Sequence, residues 1–152
     1  YDFLTVGSMG HSSSIALGIA LQKQAARIWC IDGDGAVLMH MGSMAVIGST
    51  SPDNLIHIVI NNESHETVGG MPTAAKTTDL VLAARACGYL YAARADTFEQ
   101  LDRELNRIKM QKGPCFLEVK CAMGARRNLG RPTIGTQENK KRFMDYLKSE
   151  EI

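Results

Sequence analysis

A nearly unbroken apolar run, LIHIVIN over residues 55–61, is flanked by stretches of helical character. A strand of that kind is hidden on both faces, the condition of a parallel sheet covered by helices on either side. Three further runs read as strands: RIWCID (27–32), YLYAA (89–93) and CFLEVKC (115–121). Residues 13–24, 37–48, 79–86 and 97–112 read as helices between them. The last is the clearest, with Phe98, Leu101, Leu105 and Ile108 on one face and Asp96 with Glu99 as a capping box. Strands alternating with helices predict right-handed crossovers and a single doubly wound α/β domain with a mainly parallel sheet. A Gly- and Arg-rich segment, 123–135, then leads to a final helix over 136–148. The 152 residues, 45% of them apolar, suffice for one such domain with its core and not for two ordinary ones.

Charge excludes several function classes. The formal net charge is +1, which argues against a basic nucleic-acid binder and an acidic disordered tail. The balance is uneven along the chain: residues 1–119 carry nine bases and twelve acids, residues 120–152 eight and four. The basic end centres on Arg126, Arg127 and Arg131, which could face an anion or simply be solvated. No apolar run approaches the ~20 residues of a membrane helix, and the N-terminus lacks a basic-then-apolar leader pattern. Cys30, Cys87, Cys115 and Cys121 have no metal-knuckle spacing and read as reduced, mostly buried thiols, which suits a cytoplasmic protein. The sequon Asn62-Glu63-Ser64 is then accidental. The chain opens on Tyr1 and is expected to enter a strand at once, as a part of something larger.

In open α/β sheets ligands bind at the carboxyl ends of the strands. Three loops there are polar or Gly-rich: residues 7–14, 33–36 and 61–78. In Asp32-Gly33-Asp34-Gly35 the glycines permit a sharp turn and close approach of a ligand, and the first amides of the next helix favour a phosphate. An acid in that turn would repel a bare phosphate, so a shared Mg²⁺ resolves the conflict. A plain strand-to-helix turn is the competing reading. Asn61 and Asn62 end the apolar strand, where amides are costly unless bonded. Their carbonyls are hard oxygen donors suited to Mg²⁺, and an Asx turn is the alternative. Twenty-five residues separate Gly35 from Asn61, enough for one helix and one strand, which returns the chain to the same sheet edge.

GDG followed by this spacing and NN resembles the diphosphate-binding motif of thiamine-diphosphate (ThDP) enzymes. Gly7-Ser8-Met9-Gly10 and the small-residue helix SSSIALGIAL look like the segment preceding the motif in the decarboxylase branch. The resemblance implies that Asp34, Asn62 and the Ser64 carbonyl ligate Mg²⁺, and that Gly33, Gly35 and Ala36 meet the diphosphate. It further implies that Ser8 and Met9 line the cofactor, Met9 as the wedge that bends it, and that the Gly7 carbonyl accepts from the aminopyrimidine. His11 and His65, with Glu66 beside them, are the candidate proton-handling groups. His40 and His57 lie in a helix and a strand and are expected to be structural.

The loop NESHETVGGMPT and the tail ARRNLGRPT are similar to phosphonopyruvate decarboxylases, with sulfopyruvate decarboxylases as the near neighbours. That resemblance implies decarboxylation of phosphonopyruvate to phosphonoacetaldehyde and CO₂, with Arg126, Arg127 and Arg131 reading the phosphonate. It also implies an oligomer, homo- or heteromeric, in which a separate pyrimidine-binding domain or subunit supplies the activating glutamate. Residues 1–152 would be the diphosphate-binding half: the C-terminal part of a longer enzyme, or one subunit of two. Another ThDP-dependent 2-oxo acid decarboxylase, or a non-catalytic assembly domain, remains open at this point.

Overall fold

The computed structural model describes residues 2–149. Strands β1 (Ile28–Gly33), β2 (Leu55–Asn61), β5 (Tyr91–Ala95) and β6 (Cys115–Lys120) form one sheet in the order β1-β2-β6-β5. All three pairings are parallel, as the apolar run predicts. A two-residue antiparallel pair, β3 (Ser64–His65) with β4 (Met71–Pro72), stands apart in the loop that follows β2. The helices are α1 (Ser12–Gln22), α2 (Asp34–Met39), α3 (Gly42–Thr50), α4 (Leu80–Ala86), α5 (Phe98–Met110) and α6 (Thr136–Ser149).

Two apolar layers flank the sheet. On one face Ala16, Ala20, Met44, Ile47, Leu80 and Ala84 pack on Leu55, Val59 and Phe116. On the other, α5 lays Leu101, Leu105 and Ile108 over Ile56, Ile58 and Leu117. Burying side chains of this size contributes about 1.5–3 kcal/mol each. Alternate residues of β2 thus serve opposite layers, which is why its sequence shows no polar face. No described helix is long and apolar enough to cross a membrane.

Several local expectations are corrected. The predicted helix over 37–48 is two helices, because the chain breaks at His40 and Met41. Gly42 stands where a continuous helix would lose about 1 kcal/mol relative to alanine, and the His40 ring turns aside to meet His11, centroids 4.1 Å apart. The third strand begins at Tyr91 rather than 89, since Tyr89 is claimed by the core, where its hydroxyl bonds His57 Nδ1 at 3.0 Å. The cap of α5 is Thr97, whose hydroxyl accepts from the Gln100 amide, while the Gln100 side chain accepts from the Asp96 amide. Asp96 and Glu99 are therefore not the capping pair. Residues 2–6 form no strand; the Leu4 amide bonds the Asn139 side chain, tying this segment to α6. Cys30 and Cys115 are buried as expected, but Cys121 is exposed just beyond β6.

Candidate functional site

The parallel register aligns the carboxyl ends of β1 and β2: Gly33 lies opposite Ile60, so the chain leaves both strands at the same edge. From β1 it passes directly into α2, and Asp34 occupies the first helical turn. Its side chain is only 2% exposed. The Thr73 hydroxyl donates to Asp34 Oδ2 at 2.5 Å, and no ion pair among the described residues reaches this carboxylate. A buried carboxylate with one hydroxyl donor and no counter-charge is costly unless a cation joins it. The first amides of α2, including those of Gly35 and Ala36, have no intrahelical acceptor.

The β2 loop folds back over this turn. A Cβ on Gly35 would lie 2.4 Å from His65 Cε1 and 2.6 Å from His65 Nδ1, so only glycine admits that ring. Ser64 Oγ and His65 Nδ1 are buried without a hydrogen-bond partner among the described residues. The unpaired His65 Nδ1 rests against the Gly35 turn, next to Asp34, where it is available to a polar ligand. Asn62 Oδ1 accepts from the Ser64 amide at 3.1 Å, and its Nδ2 donates to Glu66 Oε2 at 2.6 Å. The oxygen keeps a second lone pair. Asp34, Asn62 and the Ser64 carbonyl thus supply hard oxygens of the kind Mg²⁺ takes, and the donor set fits a metal–diphosphate group.

The segment before α1 completes the rim. Gly7, Ser8 and Gly10 all have positive φ (73°, 35° and 90°). A Cβ on Gly10 would lie 2.6 Å from the Ala36 carbonyl oxygen, so this segment sits directly against the α2 turn. Met9 is 44% exposed there rather than packed in the core. His11 Nδ1 lies 3.2 Å from the Ser8 carbonyl oxygen, which orients the ring. Gly10 against Ala36 and His65 against Gly35 bring this rim and the β2 loop to the same α2 turn. The arginine tail meets the site where the Gly124 amide donates to Glu66 Oε1 at 2.6 Å. Arg126, Arg127 and Arg131 are exposed.

Beneath the turn, His57 is structural as expected: fully buried, bonded to Tyr89 and 3.6 Å from Asp32 Oδ2. Burial pushes the Asp32 carboxyl up, yet His57, Ser12 and the Gly33 amide together hold it below its ordinary value. Burial pushes the neighbouring Cys30 thiol up to about 12, leaving it inert.

Sequence reasoning missed Thr73, Glu118 and Lys120. Asn61 Nδ2 donates to Glu118 Oε1 at 2.5 Å, Arg94 Nε donates to Glu118 Oε2 at 2.6 Å, and Lys120 Nζ pairs with Glu63 Oε1 at 2.5 Å. The Lys120 ammonium holds the Glu63 carboxyl below its usual range. A signal existed in CFLEVKC, since a glutamate inside an apolar strand is buried only when paired.

The family described as thiamine pyrophosphate enzyme, C-terminal TPP binding domain, matches residues 1–119. Phosphonopyruvate decarboxylase of Streptomyces viridochromogenes is 34% identical over 145 residues, 95% of this chain but 36% of that protein. Sulfopyruvate decarboxylase subunit beta of Methanococcus maripaludis is 34% identical over 147 residues, 97% of this chain and 78% of that subunit. The crystal structure of benzoylformate decarboxylase from Polynucleobacter necessarius superposes with a TM-score of 0.66 at 17% identity. That match covers 75% of this chain and 24% of that one, and shows the shared fold. The chain therefore spans about a third of the phosphonopyruvate decarboxylase it matches and most of the sulfopyruvate decarboxylase subunit. With its buried Asp34, its Asn61-Asn62 turn and this match, the chain belongs to the family of C-terminal TPP-binding domains of thiamine pyrophosphate enzymes.

Proposed function

We propose that residues 1–152 are the diphosphate- and Mg²⁺-binding half of a ThDP-dependent decarboxylase acting on a small anionic 2-oxo acid, with phosphonopyruvate as the first choice. The observation that carries this reading is the buried Asp34, with no ion-pair partner among the described residues, in the turn against which the unpaired His65 Nδ1 rests, in a chain of this family. Asp34, the Asn62 amide oxygen and the Ser64 carbonyl hold Mg²⁺. The amides of Gly35 and Ala36, aided by the turn at Gly33, bind the diphosphate, whose charge the metal offsets. Ser8 and Met9 support the cofactor, and the Gly7 carbonyl accepts a hydrogen bond from its amino group. Bound ThDP supplies the electron sink that makes loss of CO₂ from a 2-oxo acid feasible. His11 and His65 border this space and handle protons there.

Arg126, Arg127 and Arg131 recognise the substrate's second anion, for which guanidinium forks are well shaped. The identity of 34% to a phosphonopyruvate decarboxylase supports that assignment; the equal identity to a sulfopyruvate decarboxylase subunit makes a sulfonate the second reading. The pyrimidine-binding part comes from another domain or subunit, in an oligomer. The relative's designation as a beta subunit supports this division.

Calorimetry with ThDP and Mg²⁺ tests the cofactor assignment, and phosphorus NMR of phosphonopyruvate consumption tests the substrate. The chain alone binds cofactor weakly and releases no CO₂; adding the pyrimidine-binding part restores turnover. Robust decarboxylation by the isolated chain would overturn the divided site, and turnover confined to the sulfonate would move the substrate.

A further inference from the structure

The metal-binding reading names Asn62, yet Asn62 lies between two residues that are both fastened to another strand. The side chain of Asn61 is held by Glu118, and the side chain of Glu63 by Lys120, across 57 residues of sequence in each case. Both anchors project from the carboxyl end of β6, which runs parallel to β2 with Asn61 opposite Lys120. The backbone is tied at the same places: the Cys121 amide donates to the Asn61 carbonyl, and the Thr73 amide donates to the Glu63 carbonyl, each at 3.0 Å. Asn61 Oδ1 in turn accepts from the Glu63 amide at 3.0 Å, closing a small ring around Asn62.

The turn needs this restraint. Glu63 has φ +59°, a left-handed conformation that costs a non-glycine residue about 1–2 kcal/mol. Such a conformation persists only where the surroundings over-determine it, and it accumulates at ligand sites. Glu118 is 1% exposed and carries a charge that the core would reject without Arg94, whose other amine reaches the Asp79 carboxylate at 3.2 Å. Glu118 is buried while its partner Arg94 stays 39% exposed, so the desolvation cost of this carboxylate is offset only in part by the pair. Stability alone is thus a weak reason for Glu118 to be there.

We infer that Glu118 and Lys120 are positioning residues that clamp the two neighbours of Asn62, setting the Asn62 amide oxygen and the Ser64 carbonyl at the spacing a divalent cation requires. The inference rests on the metal-site reading above and extends it to β6. Neither residue touches the metal; each acts through the turn.

The test uses the full enzyme, with its pyrimidine-binding part, loaded with ThDP. Mn²⁺ binding is followed by electron paramagnetic resonance and Mg²⁺ binding by calorimetry, beside thermal melts. Lys120→Met is expected to weaken divalent-ion binding about 10-fold or more with a melting temperature within a few degrees of the parent, and Lys120→Arg to restore it. Glu118→Gln keeps an acceptor for Asn61 and is expected to lose less than Glu118→Leu, which removes it. Parent-like metal affinity in both Lys120→Met and Glu118→Leu overturns the clamp. So does a loss in each variant that only tracks its fall in melting temperature. Failure of the parent enzyme itself to bind ThDP with Mg²⁺ would instead overturn the cofactor reading, so the two failures are distinct.

Discussion

Two polar regions meet at the carboxyl edge of the sheet, and they are built in opposite ways. Around Asp34 every flanking element is fixed: Thr73 bonds the carboxylate, His65 rests on Gly35, and Gly10 abuts the α2 turn. The segment 122–135 has no helix or strand, exposes its three arginines, and meets the first region where the Gly124 amide bonds Glu66. The first region is held in place by its own contacts. The second leaves its charge exposed. Preorganisation raises affinity by reducing what must be ordered on binding, and here it is confined to the half of the edge assigned to the cofactor.

The contrast breaks most sharply at Asp34. Asp34→Asn removes the only buried charge in the metal set, and Mg²⁺-dependent ThDP binding is expected to fall on the order of 100-fold or more in calorimetry. An unaltered affinity would put the metal elsewhere. Gly35→Ala comes next: its Cβ would meet the His65 ring at 2.4 Å, so the ring or the turn must shift. Overpacking of this kind costs about 1–3 kcal/mol, read as a lower melting temperature, with cofactor affinity down about tenfold. Smallest in effect are the tail arginines. Arg126→Ala, Arg127→Ala and Arg131→Ala are each expected to raise KM for the anionic substrate up to about tenfold, as loss of a charge-assisted contact does. Stability should stay within about 0.5 kcal/mol of the parent, as for exposed substitutions generally. Unchanged KM at all three positions would leave the tail a solvated surface and remove the contrast.

That the GDG turn and the Asn pair leave the sheet at one edge was legible in the sequence, because those signals are local. GDG, NN and the apolar run between turns are short patterns whose physical meaning does not depend on distant residues. The break at His40 was not legible, since it depends on a ring contact with His11 from another element. Nor was the late start of β5, because Tyr89 is drawn into the core by His57, thirty-two positions away. Glu118 and Lys120 were hidden for the same reason: their partners lie on other strands or in the loop after β2, which only strand pairing brings near. The arginine tail was easily noticed as charge, and its placement beside Glu66 could not be read from charge alone.

The strand order carries a consequence for how the site comes into being. β1 meets β2 early in sequence, but β6 must return from beyond two helices to lie between β2 and β5. Contacts of such long separation are closed late in folding, since their loop entropy is met only when much of the chain is in place. The turn around Asn62 therefore cannot mature with the hairpin-sized segment that contains it. It inherits the cooperativity of the whole sheet, and local opening of β6 and loss of the Asn62 turn become one event rather than two.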